Sequence, residues 1–577
     1  MKTTGFPGTG HCRAWRNPHS RFISFILTYW IMLDEWLDIR VTAMTLSGAF
    51  IRILATSACC MYLLCGFQSA AQQRRGEISL LDAAQSVLEK HPLIHFQEAQ
   101  TEIDRGLKQQ ASAAFDSVLN AGLSQGRSTT PLTRAQQEEN ALIGAPGVDE
   151  LTDLSQASFG VSRLFRSGIS IAPTVTVTRD VDNILNPQGV NTANPNVQIT
   201  VPLLRGRGRS AVAAQEMAAG AEVGASAFDL TNEISTLLTA TASDYWNLVA
   251  SRKLVAIAGE AEERARTDFE NTQTLVNADR LPRENLNEVN ANLAQSASTR
   301  IATEQSLITA EYQLAADIGM DTQDIASTLL IPTDDFPSLG QPHEYPPLTL
   351  DALRSYVQNA LENRSDYLAS KMRINEQKIL VVAAKNRLLP QLNLTANGGY
   401  SGLQEGRRFK DIFDSTAGNI NGPNASAGIS YNFAPRNDQA RGAYLQAVAT
   451  QTQLESQSLQ LAHTISAAVA TSAQAVRNAA LQADKAHAAV DFYRESLEGQ
   501  RQKYHLGIAS VIDVLTVEDR LTTAMTTEVQ AELSYALALT QFRSATGTIV
   551  PPGKAVVRIG TDVFQTLPSF SHPAMQP

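Results

Sequence analysis

Cysteine is missing from nearly the whole chain. All four (Cys12, Cys59, Cys60, Cys65) stand before position 66 of 577. That excludes a disulfide scaffold or a cysteine-based zinc site in the body of the protein, and it suits an oxidising compartment, where a stray thiol is a liability. Charge and aromatics are also scarce, at 18% and 6% of residues, low for a soluble enzyme of this size. The formal net charge of −10 argues against a nucleic-acid partner, which would require clustered Lys and Arg. Proline is absent between Pro202 and Pro282, again until Pro332, and throughout 437–505. A proline in a helix interior costs about 3 kcal/mol, so these gaps mark long helices.

Catalytic signals are equally sparse. GFPGTG at 5–10 lacks the Lys-Ser/Thr of a phosphate loop. His91 and His95 have the i, i+4 spacing of a metal pair, but no third ligand accompanies them. No Ser/His/Asp set or paired carboxylates stand out. The expectation is a protein that is not an enzyme, without metal or cofactor.

The N-terminus reads as an export signal. From Met44 the chain runs MTLSGAFIRILATSACCMYLLCGFQSAAQQ: a basic residue, Arg52, then an apolar stretch, then small residues ending at Ala71. The apolar run is short for a membrane span, so a signal peptide cut near Ala70 or Ala71 is the reading. Residues 1–43 suggest a start codon placed too early. Cys65 or Cys59 as a lipidation site remains an open alternative.

Four segments alternate with period two. GISIAPTVTV sets Ile169, Ile171, Val175 and Val177 against Ser170, Thr174 and Thr176. NVQITVPLL sets Val197, Ile199, Val201 and Leu203 against Gln198 and Thr200. PQLNLTAN sets Leu392, Leu394 and Ala396 against Gln391, Asn393 and Thr395, and ASAGISYNF sets Ile429, Tyr431 and Phe433 against Ser426, Ser430 and Asn432. Weaker strands are 117–124 and 157–164. One face is apolar and the other small and polar, without the Lys and Glu of a solvent-facing sheet. That is the pattern of a membrane barrel with a wet lumen.

The rest is helical. Two runs, 206–276 and 437–505, would each reach about 100 Å at 1.5 Å per residue. Shorter helices are expected over 79–113, 283–318, 348–387 and 510–545, so that two short ones laid end to end match one long one.

The chain also repeats itself. Leu88-Glu89 aligns with Leu361-Glu362, 273 positions later, whereas Ile199 aligns with Ile429 at 230 and Asn285 with Asp513 at 228. The change of offset places an insertion of about 43 residues in the first half, between 122 and 198. A hairpin inserted in a barrel keeps both helices on the same side. The sequence leaves open whether it adds strands to the barrel or a ribbon beyond it. The domains are a leader (1–71), a first repeat (72–335) with the insertion near 125–195, a second repeat (336–550) and a tail (551–577).

The segment KYHLGIASVIDVLTVEDRLTTAMTTEVQAELSYALALTQFRSATGTI (503–549) resembles the C-terminal helical turn of the TolC-type outer-membrane efflux proteins. VPLLRGRGRS (201–210) is similar to their strand-to-helix junction, with the arginines as a membrane-interface anchor. The resemblance spans 76–550 in the expected order. It implies a mainly α fold with a transmembrane β-barrel portion: a homotrimer whose α-helical barrel joins a shared β-barrel. It further implies an exit duct in the Gram-negative outer membrane with a long periplasmic extension, in contact with outer-membrane lipid. Its partners would be a periplasmic adaptor (membrane fusion) protein and an inner-membrane RND or ABC-type pump, for efflux or type I secretion.

By the same resemblance, Arg280, Leu281 and Pro282 form one adaptor-docking tip, with Pro282 in the first turn of a helix. Gly507, Ile508, Ala509 and Ser510 form the other. Asp279 stands where the family has Gly, so the first turn is expected to differ in shape. Asp513 is expected at the periplasmic entrance, repeated around the trimer axis as a ring of carboxylates. Asn285 is its counterpart in the first repeat, and Thr516 replaces a second Asp, with Glu518 and Asp519 as substitutes. The alternative, of another class, is a non-conducting exported coiled-coil scaffold. It has no need of strands with a polar lumen face.

Overall fold

The computed structural model describes residues 74–326, 328–339, 348–420, 422–552, 560 and 562–568. The leader through residue 71, with the expected signal peptide, the four cysteines and GFPGTG, lies outside the described residues.

The first half begins with strand β1 (Arg74–Ile78), helix α1 (Leu80–Lys90) and helix α2 (Pro92–Ser112). Strand β2 (Ser117–Pro131), a short helix α3 (Arg134–Leu142), and strands β3 (Asp149–Leu164), β4 (Ser170–Asp182) and β5 (Val190–Pro202) follow. The long helix α4 (Ala214–Asn277) then turns into α5 (Glu284–Asp317), and β6 (Thr328–Pro332) closes the half. The second half is α6 (Leu350–Asn363), α7 (Ser365–Arg387), β7 (Gln391–Tyr400), β8 (Gly402–Glu405), a short α8 (Phe409–Asp414), β9 (Pro423–Asn432), the long α9 (Asp438–His505) and α10 (Val511–Ala545). The long helices have 64 and 68 residues, about 96 and 102 Å at 1.5 Å per residue.

Each long helix carries two shorter ones end to end. α4 packs against α2 and α5, and α9 against α7 and α10, while α4 also meets α7 and α10. The expected helices 79–113 and 348–387 are each broken once. At the first break Pro92 holds His91 extended (ψ 124°), as the residue before a proline must be. At the second, Arg364 is extended without a proline. A glycine lies against each break: Gly319 beside Lys90 and His91, Gly547 beside Asn363 and Arg364. A Cβ on Gly547 would stand 2.9 Å from the Arg364 nitrogen, so the chain needs its missing side chain to approach there. Near this level β1 pairs in parallel with β6. That pair, α1 and the middle of α4 enclose a core centred on Tyr245 and Trp246, both 0% exposed. The Tyr245 hydroxyl donates to Asp334 (2.8 Å), whose carboxylate also accepts from the Leu80 amide (2.7 Å). The sequence reading did not include this small parallel pair.

The larger sheet is antiparallel, in the order β2-β3-β4-β5-β7-β9, with β8 continuing β7 along β5. The insertion is therefore β3 and β4, seated between β2 and β5. Its register is continuous with the rest. One row runs Ser117–Arg163–Ile171–Ile199–Ala396–Ala427, and another Asn120–Gly160–Thr174–Asn196–Gly399–Asn424. Directly opposed residues share a face. One face thus gathers Leu119, Leu123, Phe159, Val161, Val175, Val177, Val197, Ile199, Leu394 and Ile429 across all the strands. The other carries Asn120, Ser158, Thr174, Thr176, Asn196, Gln198, Thr395 and Ser426. The apolar face is open in a single chain: Leu123 is 85% exposed and Ile429 70%. Among the described residues no helix is long and apolar enough to cross a membrane.

Candidate functional site: the helical apices and the seam above them

Both helical hairpins turn with the same backbone device. At the end of α4 the Asp279 amide donates to the Val276 carbonyl (3.0 Å) and the Arg280 amide to that of Leu275 (2.9 Å). At the end of α9 the Gly507 amide donates to Tyr504 (2.9 Å) and the Ile508 amide to Lys503 (2.9 Å). This is the paired Schellman pattern, which needs a left-handed residue after the cap. Asp279 supplies it at φ 54° and Gly507 at φ 73°. The expectation that Asp279 would reshape its turn is thus corrected: Asp is among the few side chains that enter the left-handed region, and the motif forms intact.

The restart of each hairpin differs. Helix α10 begins with a reciprocal capping box. Asp513 accepts from the Ser510 amide (2.8 Å) and hydroxyl (2.7 Å), and the Asp513 amide donates back to Ser510 Oγ (3.3 Å). These bonds hold the Asp513 carboxyl below the usual carboxylate range. Helix α5 has no such box; its cap residue is Arg283, without a side-chain bond. Pro282 lies one residue ahead of that cap rather than in the first turn, and its carbonyl accepts from the Asn285 amide (3.3 Å). Arg280 and Pro282 are exposed, Leu281 and Asn285 half-buried. Ile508 is 74% exposed, as is Leu506; Ser510 is exposed and Ala509 half-buried. Thr516 is exposed and donates to the Ile512 carbonyl (2.8 Å). Within one chain Asp513, Asn285 and Thr516 are thus engaged locally.

Above the apices, α4 meets the α9–α10 hairpin around a cleft of about 460 Å³ lined by Arg264, Asp268, Thr272, Arg501, Tyr504 and Val511. Glu518, 5% exposed, faces into this seam and accepts from Arg501 (2.5 Å). Asp519 is exposed. Arg264 donates to Thr522 (3.0 Å). Burial, with the neighbouring Glu518 carboxylate adding to it, raises Asp268 to about 7. Two carboxylates sharing one poorly solvated site cannot both ionise freely. The Tyr504 hydroxyl and one Asp268 oxygen are buried without a hydrogen-bond partner. Sequence reasoning named Glu518 but missed its company. Asp268 is more than 230 positions from Arg501, and no local spacing links them.

A third locus is the strand-to-helix junction. RGRGR joins three elements: Arg205 donates to Gln391 (2.8 Å), the Gly206 amide to Asn386 (2.8 Å), and the Gly208 amide to the Ser167 carbonyl (2.9 Å). Ser167 belongs to the β3–β4 turn. There Arg166 makes a two-pronged pair with Glu216 of α4 (2.6 and 2.7 Å) and lies 4.8 Å over the Phe115 ring.

His91 caps α2 by accepting from the Leu93 amide (3.2 Å), and His95 pairs with Glu98 (3.2 Å). The i, i+4 histidines are thus used separately. Among the described residues no group of three or more His, Cys, Asp or Glu is placed to hold a metal ion.

Residues 356–548 match the family model described as outer membrane efflux protein. No curated protein matches. Among solved structures, the chain is similar to the outer-membrane channel OprN (TM-score 0.59, 15% identity, 81% of this chain and 90% of that one). It is also similar to the CmeC outer-membrane channel of Campylobacter jejuni (TM-score 0.55, 15% identity, 82% and 87%). A further match is the outer-membrane protein VceC of Vibrio cholerae (TM-score 0.55, 16% identity, 81% and 96%). At such identities the structures establish a shared fold, long helices joined to an antiparallel sheet. That fold runs through the chain, and the outer membrane efflux protein pattern is matched over residues 356–548, in its second half.

Proposed function

We propose that the protein is a passive exit duct in the Gram-negative outer membrane, carrying solutes delivered by an inner-membrane RND or ABC-type pump. The observation that carries this reading is the sheet: a continuous apolar band on one face, a small polar surface on the other, joined to helices of about 100 Å. Open strands in a bilayer must close to satisfy their backbone groups. The sheet ends on β2 and β9, so copies of the chain, three by family resemblance, complete the wall. The two repeats, 72–335 and 336–550, supply the helical tunnel beneath it. The band faces lipid and the Asn, Ser and Thr face lines the pore.

The apices are the docking tips for a periplasmic adaptor. Arg280, Leu281 and Pro282 form one; Gly507, Ile508, Ala509 and Ser510 form the other, with Leu506 and Ile508 as exposed apolar contacts. Asp513, Asn285 and Thr516 line the periplasmic entrance, Asp513 repeated in each copy. The Asp268–Glu518–Arg501 cluster holds α4 to the α9–α10 hairpin and restrains opening.

Purified protein in planar bilayers is expected to conduct, with Arg501→Ala opening more often than the parent because Glu518 loses its partner. No conductance from the parent, from Arg501→Ala or from Asp513→Ala would defeat the duct.

A further inference from the structure

The inserted hairpin is continuous with the sheet in register, in face and in its helix-side boundary. At the helix side β3 and β4 are level with β2 and β5, as the two rows show, and at the loop side β2 and β3 run past Asp182 of β4 and Val190 of β5. Their apolar residues, Phe159 and Val161 on β3 and Val175 and Val177 on β4, stand between Leu119 and Leu123 on one side and Val197 on the other. The band ends in charge at both rims. Toward the outer loops lie the Arg127–Asp153 pair (2.6 Å) and Arg179. Toward the helices the band closes on β3 at Arg163, in one row with Ile171 and Ile199 and 5.2 Å over the Phe165 ring. Along β5 the band from Ala193 to Val201 covers about 27 Å at 3.4 Å per residue, a height of about 21 Å at a tilt of about 40°, against about 25 Å for an outer-membrane apolar belt. A ribbon projecting into water would not reproduce this band on two added strands.

From this, and resting on the duct reading, we propose that the pore wall of this protein has eighteen strands, six from each of three copies, sealed by pairing β9 of one copy with β2 of the next. The directions allow it. β2 runs away from the helices and β9 returns toward them, so the two edges meet antiparallel. An insertion of two strands preserves that parity, whereas one strand would not. Face matching restricts the register: Ala121 and Leu123 share the apolar side with Ala425, Ala427 and Ile429, so odd-numbered residues oppose odd-numbered ones.

Size supports the count. Eighteen strands about 4.8 Å apart and tilted about 40° have a circumference of about 113 Å, against about 75 Å for twelve. The helices form four columns per copy (α4, α9 and their two stacks), and twelve columns about 9 Å apart make a ring of about 108 Å. The wider barrel meets the helical ring without a funnel, so the hairpin enlarges the outlet and leaves the tunnel unchanged.

The body of the chain is cysteine-free, so single thiols report cleanly. Phe159→Cys, Val175→Cys, Ile199→Cys, Leu394→Cys and Thr174→Cys would be spin-labelled and reconstituted into phosphatidylcholine vesicles. Their collisions with oxygen and with an aqueous nickel chelate would then be compared. We expect the first four labels to favour oxygen several-fold, and the Thr174 label to favour nickel. If labels at 159 and 175 favour nickel while 199 and 394 favour oxygen, the hairpin lies outside the wall; the eighteen-strand barrel is lost and the duct stands. If 199 and 394 also favour nickel, both readings fail. Ala121→Cys combined in turn with Ala425→Cys, Ala427→Cys and Ile429→Cys tests the seal. One pair is expected to give a covalent trimer on mild oxidation; none doing so would overturn the β9–β2 joint.

Discussion

In the first half of the chain, α4 ends on Asp279 at φ 54°, α5 restarts without a side-chain cap, and the sheet takes four strands. In the second, α9 ends on Gly507 at φ 73°, α10 restarts on the Ser510–Asp513 box, and the sheet takes β7, extended by β8, and β9. The backbone turns are nevertheless the same. The matched family pattern covers 356–548, all within the second half. Backbone hydrogen bonding thus holds the repeat in common. The side chains at the apices and the strand count are where the halves are free to diverge, because a hairpin inserted in a sheet disturbs no helix.

The largest expected effect is at the insertion. A Cβ on Gly168 (φ 95°) would lie 2.1 Å from the Gly206 carbonyl oxygen. Gly168→Ala should therefore strain the β3–β4 turn by about 3 kcal/mol or more, combining left-handed strain with a backbone clash. Gly428→Ala in β9, with nothing within 4 Å, should be nearly silent. Thermal unfolding in detergent would show the contrast, and equal midpoints would mean the turn is not locked to the junction.

Next is the seam between the halves. Asp268 faces Glu260, Glu263 and Arg264 on its own helix, Arg501, Tyr504 and His505 on α9, and Glu518 on α10. Its carboxyl is raised to about 7. A raised folded value means the proton favours the closed seam. The contribution is full below the ordinary carboxylate range and is lost as pH rises through about 7. Open probability in bilayers should therefore climb several-fold between about pH 6 and pH 8, and Asp268→Asn should flatten that rise. An unchanged pH profile in the variant would remove Asp268 from the restraint.

Smaller effects separate the apices. Ser510→Ala removes the only capping box at the two apices and should cost about 1 kcal/mol; Arg283→Ser, which offers α5 the cap it lacks, should return a similar or smaller gain. Asp279→Gly should stabilise by about 0.5 kcal/mol, relieving the left-handed side chain against Gly's greater freedom when unfolded. A loss of stability there would show that Asp279 makes a contact beyond its own turn. Denaturant midpoints of the three variants would rank them.

Much of this fold was legible in the sequence because its signals are local and periodic. Alternation marked β4, β5, β7 and β9, proline gaps marked α4 and α9, and the change of offset from 273 to 230 positions located the insertion. The helices expected over 437–505 and 510–545 are α9 and α10. Other features were hidden because they are made by contact. The break at Arg364 depends on Gly547 approaching from far along the chain. The β1–β6 pair joins segments about 250 residues apart. Asp268 is an ordinary helical acid until α9 and α10 bring Arg501 and Glu518 beside it.

The sequence by itself determined the two faces of the sheet, the length of the helices and the duplication, since each follows from side-chain period and backbone chemistry along one segment. Only the tertiary structure decided that the inserted hairpin lies between β2 and β5 in continuous register. Only it could show that buried carboxylates meet across the seam. Register and burial are set by which distant segments pack together, and no single stretch of chain carries that choice.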